Sequence, residues 1–163
     1  MLAFADANTP SKPVLYADLL AQARALLDGE RDATANAANL SSLLFHSLPG
    51  INWAGFYWLK DGGLVLGPFQ GKPACVRIAA GKGVCGTALA QCRTLVVDDV
   101  HAFPGHIACD SASESELVIP VMKAGRVIGV LDLDSPARAR FDAEDAAGLE
   151  AIVAAFVERS DLG

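Results

Sequence analysis

Several features are absent or scarce in this sequence of 163 residues. No stretch approaches the roughly 20 consecutive apolar residues that a membrane-spanning helix needs. Residues 1–6 contain neither a basic segment nor an apolar core, so we expect no signal peptide and a cytoplasmic location. Basic residues are few: 13 lysines and arginines against 19 aspartates and glutamates give a net charge of −6. That charge repels phosphate backbones and argues against a nucleic-acid partner.

Cysteine is also scarce, with Cys75, Cys85, Cys92 and Cys109 as its four members. In a cytoplasmic chain we expect no structural disulfides, which leaves metal binding, catalysis or simple burial. Structural zinc sites usually contain two pairs of closely spaced ligands. Here only His106 and Cys109 show such a spacing, so we expect no metal.

The pattern that is present indicates an α+β fold with about six antiparallel strands and the N- and C-terminal helices packed on one face of the sheet. Apolar residues recur at helical spacing in residues 13–28, in 32–48 and after Asp142, which is a typical N-cap. Between the helices, strand-like segments surround turn signals at residues 61–63 and 124–125. We expect residues 1–12 to be a flexible lead and residues 13–160 to form one domain.

The segment 98–115 is too long for an ordinary connection in a compact domain, which favours a lid or pocket wall over a packed surface loop. Cys85 follows Gly83 in the first turn of a short predicted helix. Amides at a helix N-terminus stabilise a thiolate, so Cys85 is either a reactive thiol or a small buried side chain.

The predicted hairpin around residues 124–125 brings Glu116 opposite Asp132 and Asp134. The two aspartates share one face of their strand, and Glu116 joins that face only if the turn has an odd loop length or the hairpin has a bulge. Three carboxylates at the end of an apolar ribbon would bind a cation or hold a proton, unless they are solvated strand ends. Trp53 and Tyr57 also share a strand face and either line a pocket or fill the core.

Taken together, these segments resemble the free methionine-R-sulfoxide reductases, which are built on the GAF domain. The resemblance runs from about residue 16 to residue 157. Its specific parts are NWAGFY (52–57), LGPFQG (66–71), GVCG (83–86), HIACD (106–110), SESEL (113–117) and GVLDLDS (129–135).

The resemblance implies reduction of free methionine-R-sulfoxide, with Cys109 as the nucleophile, Cys85 as its main resolving partner and Cys75 as an alternate. It also implies thioredoxin as the external reductant, no metal or organic cofactor, and it is compatible with a homodimer. Cys92 lies outside the three-cysteine pattern. The residues that it implies for substrate contact are Trp53, Tyr57, Glu116, Asp132 and Asp134. Two alternatives stay open: a GAF module that only binds a small molecule, and a thiol redox sensor without a substrate.

Overall fold

A computed structural model describes residues 9–106 and 111–163 of the chain. In chain order the elements are α1 (Lys12–Leu26), α2 (Ala33–Ser47), β1 (Trp53–Lys60), β2 (Gly63–Gly71), β3 (Arg77–Ala79), α3 (Gly83–Gln91), β4 (Leu95–Val97), β5 (Ser115–Lys123), β6 (Arg126–Ser135) and α4 (Ala143–Arg159). Residues 1–8 of the expected lead lie outside the described residues. None of the described helices is long and apolar enough to cross a membrane.

The six strands form one sheet in the order β3-β2-β1-β6-β5-β4, and every neighbouring pair is antiparallel. Two hairpins, β1–β2 and β5–β6, meet where β1 pairs with β6 at the centre of the sheet. The predicted α+β arrangement with a six-stranded antiparallel sheet is therefore confirmed.

Helices α2 and α4 pack on one face of the sheet and α1 packs against both of them, so the predicted layer of N- and C-terminal helices on one face is confirmed. Phe56 of β1 and Phe156 of α4 pack with ring centroids 5.0 Å apart, in a core that also contains Leu44 and Leu131. The short helix α3 lies on the opposite face, over β5 and β6, where Tyr57 belongs to a second core. Alternation along each strand thus supplies two different cores, one on each side of the sheet.

Helix α4 begins at the predicted cap. The side chain of Asp142 accepts hydrogen bonds from the backbone of the first turn, and Asp145 completes a capping box. Asp145 is buried, yet it accepts hydrogen bonds from the Tyr16 hydroxyl at 2.7 Å and from Lys12 Nζ at 2.6 Å. This buried carboxylate joins α1 to α4 and is well supplied with donors.

The β5–β6 hairpin contains the bulge on which the position of Glu116 depends. Lys123 pairs with Arg126, but the register shifts between Val121 and Met122, so that one additional residue of β6 is accommodated. Beyond the shift, Glu116 pairs with Asp134. Because directly paired residues point to the same face, the bulge places Glu116 on the face that carries the two aspartates.

Candidate functional site

A cavity opens on the face of the sheet that carries α3. Its empty volume is about 570 Å³, with the solvent at its mouth included. The cavity lies among the ends of β1, β5 and β6, the first turn of α3 and the segment that precedes β3. The residues that line it are Trp53, Tyr57, Lys72, Pro73, Ala74, Ile78, Lys82, Gly83, Val84, Cys85, His106, Ser113, Glu116, Asp132 and Asp134. All five residues expected to contact a substrate are among them.

An aromatic stack forms one wall of the cavity. The indole of Trp53 lies between Phe69, at a centroid distance of 5.2 Å, and Tyr57, at 5.9 Å. Gly55, between Trp53 and Tyr57 on the strand, leaves room for this stack, because a Cβ there would lie 2.3 Å from Phe69 Cβ and 2.8 Å from the Trp53 ring. The predicted shared face of Trp53 and Tyr57 is confirmed, and the two rings serve both as core and as cavity wall.

The polar ends of the two rings hold the segment 72–76 against the sheet. Trp53 Nε1 donates to the Lys72 carbonyl at 3.1 Å, and the Tyr57 hydroxyl donates to the Cys75 carbonyl at 2.9 Å. Cys75 is disulfide-bonded, whereas Cys85 and Cys92 are free thiols. The aromatic wall therefore also holds the backbone of Cys75, one of the three cysteines expected to take part in the redox reaction.

The carboxylates of Glu116 and Asp132 lie at the floor of the cavity, and each residue is only 6% exposed. Burial raises the pKa of Glu116 well above its usual 4.5, and the neighbouring Asp132 and Asp134 raise it further. Burial also raises the pKa of Asp132 to about 6, although hydrogen bonds with Glu116 and Cys85 oppose the rise. The cluster can therefore hold a proton near neutral pH.

Asp132 differs from the other deeply buried aspartate in its partners. Asp145 is neutralised by Lys12 and Arg140. Asp132 Oδ1 is buried with no hydrogen-bond partner in the described part of the chain. A buried oxygen without a donor is destabilising, and in a cavity it indicates a place for a cationic or hydrogen-bonding ligand.

Cys85 is buried in the first turn of α3, and its Sγ lies 3.7 Å from Glu116 Oε1. Burial raises the pKa of this thiol well above its usual range, with further contributions from Asp132, Glu116 and Asp134. Of the two readings left open for Cys85, the structure therefore favours the small buried side chain over the reactive thiol, since low dielectric and three acidic neighbours outweigh the helix amides.

Both described parts of the segment 98–115 line the cavity. His106 does so from residues 98–106, and Ser113 does so from residues 111–115. His106 Nε2 lies 3.8 Å from Glu116 Oε2. Burial lowers the pKa of His106, and His101 lowers it further, so the imidazole is neutral at pH 7. His106 was absent from the predicted contact set, although its place in the HIACD motif was a usable signal. Cys109, the expected nucleophile, lies outside the described residues.

Cys92 is not part of this arrangement. It ends α3 in the left-handed conformation, with φ of 52°, and its thiol is exposed. It does not line the cavity.

Comparison with known proteins agrees with this geometry. Residues 38–156 match the family model of the GAF domain. The chain is 54% identical over 144 residues to a free methionine-R-sulfoxide reductase of Escherichia coli, covering 88% of this chain and 87% of that protein. A substrate complex of the Staphylococcus aureus fRMsr matches at 51% identity with a TM-score of 0.85, over 88% of this chain and 94% of that one. The free methionine-R-sulfoxide reductase of Neisseria meningitidis, in complex with its substrate, matches at 43% identity with a TM-score of 0.89, over 98% and 94%.

Proposed function

The chain belongs to the GAF-domain family of free methionine-R-sulfoxide reductases, and we propose that it reduces free methionine-R-sulfoxide to methionine in the cavity described above. The observation that carries the proposal is the pairing of a buried acidic floor with an aromatic wall. Free methionine sulfoxide combines a cationic ammonium with an apolar methyl and thioether, and it needs both surfaces.

The acidic floor suits the ammonium group. Asp132 Oδ1 has no hydrogen-bond partner among the described residues, and Asp134 lies on the same strand face two residues away. An ammonium placed against these two carboxylates would supply the missing donor and counter-charge. The amide nitrogen of a peptide-bound methionine sulfoxide carries no charge, so the same contact would leave the buried carboxylates uncompensated. The proposed substrate is therefore the free amino acid.

The aromatic wall suits the other end of the substrate. Trp53 and Tyr57 offer stacked ring surfaces, and sulfur contacts with aromatic rings are favourable. With the ammonium on the floor and the methyl group on the rings, the sulfoxide would face His106, which also lines the cavity. Preference for the R epimer follows from the family resemblance.

In the proposed reaction the Cys109 thiolate attacks the sulfoxide sulfur while a proton is delivered to the sulfoxide oxygen. The oxygen passes to Cys109, so the thiol is oxidised to a sulfenic acid and the sulfoxide is reduced to a thioether by two electrons. We assign the proton to Glu116, because burial and two acidic neighbours keep its pKa raised. No metal or organic cofactor enters these steps.

A second thiol then condenses with the sulfenic acid, which releases water and forms a disulfide that an external dithiol reduces. The resemblance implies Cys85 as the main resolving thiol, but its burial and raised pKa disfavour the reactive thiolate. Cys75 is disulfide-bonded, so its sulfur is within bonding reach of another cysteine. We therefore propose Cys75 as the principal resolving thiol and Cys85 as the alternate. Thioredoxin as reductant, a cytoplasmic location and a homodimer remain part of the proposal.

The test is NADPH consumption in a coupled thioredoxin system, with free methionine sulfoxide present, omitted, or replaced by a peptide that contains it. We expect consumption with the free amino acid alone. Cys109→Ser should abolish turnover, and Cys75→Ser should release about one equivalent of methionine per chain and then recycle slowly. Cys92→Ser, which changes the exposed thiol outside the cavity, is the matched control and should leave turnover unchanged.

Other outcomes would contradict the proposal in distinct ways. Binding of methionine sulfoxide without turnover would identify a GAF binding module. Disulfide formation under peroxide with no response to the sulfoxide would identify a redox sensor. Slow recycling in Cys85→Ser with normal recycling in Cys75→Ser would return the resolving role to Cys85.

A further inference from the structure

The floor of the cavity also carries the donor atoms of a transition-metal site. Cys85 Sγ and one carboxylate oxygen from each of Glu116 and Asp132 lie within 4.8 Å of one another, and all three residues are buried. His106 lies beside this group rather than within it: its Nε2 is 3.8 Å from Glu116 Oε2, but it is not one of the three residues whose donor atoms all lie within 4.8 Å of one another. Thiolate, imidazole and carboxylate together form a donor set typical of zinc.

The spacing of these atoms is close to what one zinc ion requires. Zinc binds sulfur at about 2.3 Å and oxygen or nitrogen at about 2.0–2.2 Å, so donors at a tetrahedral angle lie roughly 3.3–3.7 Å apart. Cys85 Sγ lies 3.7 Å from Glu116 Oε1, and His106 Nε2 lies 3.8 Å from the other carboxylate oxygen, Oε2. Cys85 and Glu116 are thus already at the spacing of two zinc ligands, whereas His106 must turn toward Cys85 and Asp132 to become a ligand of the same ion.

A second observation points to a ligand at the same place. Asp132 Oδ1 is buried and lacks a hydrogen-bond partner among the described residues. No lysine or arginine in those residues has a nitrogen within 4.0 Å of a Glu116 or Asp132 oxygen, and His106 is the basic neighbour found there. The site therefore combines an excess of acidic side chains with a buried acceptor atom, Asp132 Oδ1, that receives no hydrogen bond from the described residues.

Another cluster with a similar composition lacks this property. Asp99, His101 and Glu114 also bring three donor atoms together, but they are more exposed. Arg138 lies 3.5 Å from Asp99 Oδ2 and 3.4 Å from Glu114 Oε2, and so already supplies their counter-charge. The buried cluster at the cavity floor is the better candidate.

We propose that Cys85, Glu116, Asp132 and His106 form a binding site for Zn²⁺, or for a divalent ion of similar softness, and that the bound metal blocks the reductase. The thiolate and imidazole donors select zinc over magnesium and calcium, which prefer all-oxygen sites. An ion held by Glu116 and Asp132 occupies the place proposed for the substrate ammonium and also engages the proposed proton donor. Metal and methionine sulfoxide therefore compete. The metal site stands on geometry alone, and only its inhibitory consequence rests on the proposed function.

The binding experiment uses the full chain, reduced and metal-free, titrated with zinc chloride in competition with a chromophoric zinc chelator. We expect one ion per chain and a dissociation constant raised at least about tenfold by Cys85→Ala and by Asp132→Asn. The control Cys92→Ala removes a thiol outside the cavity and should change the constant less than twofold. Circular dichroism checks that each variant is folded. Magnesium at millimolar concentration should not displace zinc.

Wild-type zinc affinity in both folded cavity variants would overturn the site. Loss of zinc binding on Cys109→Ser combined with full binding by Cys85→Ala would also overturn it, because the ion would then bind at other thiols. Adding methionine sulfoxide should weaken zinc binding, and zinc should raise the apparent KM in the coupled assay without lowering kcat. Zinc binding at the cluster without such competition would refute the inhibitory role and leave the metal site intact. If the chain reduces no methionine sulfoxide even without zinc, the proposed function fails separately, and the chelator titration still decides the site.

Discussion

Replacing Asp132 by asparagine is expected to stabilise the folded protein at neutral and alkaline pH, although the change removes a side chain of the candidate site. Burial raises the pKa of Asp132 from 3.8 to about 6. This difference makes ionisation in the folded state unfavourable by about 3 kcal/mol relative to the unfolded chain. Asparagine avoids that penalty but is a poorer acceptor for Glu116 and Cys85, which offsets about 1 kcal/mol. A net gain of about 2 kcal/mol in the free energy of unfolding follows.

The stability advantage of Asp132→Asn over the wild type is expected to increase with pH. Below about pH 4, Asp132 is neutral in both the folded and the unfolded state, so the asparagine variant gains nothing. Between pH 4 and about 6 the unfolded chain ionises first, which destabilises the wild type, and the advantage of the variant grows. Above this range it stays constant. Urea denaturation of both proteins at pH 4, 6 and 8, followed by circular dichroism, measures the difference.

Asp142→Asn is the matched control with the opposite sign. The hydrogen bond from Lys12 lowers the pKa of this exposed carboxyl to about 2, with a backbone hydrogen bond from Asp145 as the next cause. Asparagine keeps the N-cap but loses the ion pair, so this variant should be less stable at pH 6 and 8. A folded Asp132→Asn protein that is no more stable than the wild type at pH 8, with a difference that does not change with pH, would refute the reasoning.

Three further substitutions test the aromatic wall, the acidic floor and the core between the sheet and the helices. Gly55→Ala should lower the free energy of unfolding by about 1–3 kcal/mol or more in denaturation experiments, because the new Cβ would overlap Phe69; unchanged stability would contradict the tight aromatic stack. Glu116→Gln should reduce kcat roughly a hundredfold or more with the fold intact, and normal kcat would remove it as proton donor. Phe56→Ala should cost about 3–5 kcal/mol of stability, since the ring is buried against Phe156; a smaller loss would indicate that the core refills the space.

Local sequence alone determined most of the elements of this protein. Helical spacing, the Asp142 cap and the turn residues at 61–63 and 124–125 act over a few neighbouring residues, and the helices and hairpins that they predict are present. The strand period likewise determined that Trp53 and Tyr57 share a face. The specific motifs were sufficient to identify the family, because they combine several short segments that rarely occur together.

The tertiary structure decided which residues reach the acidic floor. With a two-residue turn after Lys123 and no bulge, Glu116 would pair with residue 133, and its side chain would point to the face opposite the two aspartates. The bulge near Val121 shifts the pairing by one residue, to Asp134. Whether a bulge forms depends on how the two strands pack against their neighbours. The hairpin sequence therefore shows that Glu116 needs a bulge to reach the face of the aspartates, but it cannot show that the bulge forms. The contact of His106 with Glu116, at 3.8 Å, likewise depends on the conformation of the irregular segment before β5, which no periodic pattern predicts.

Burial decided the chemistry of these groups. Asp132 and Asp145 are the same residue type and are both buried, but Lys12, Tyr16 and Arg140 converge on Asp145, whereas Asp132 Oδ1 has no described partner. Cys85 lies at a helix N-terminus, as the sequence predicts, yet its pKa is raised because the sheet buries it beside acidic side chains. The sequence determines which charged groups exist, and solvent access and long-range neighbours, which only the folded chain defines, determine their protonation.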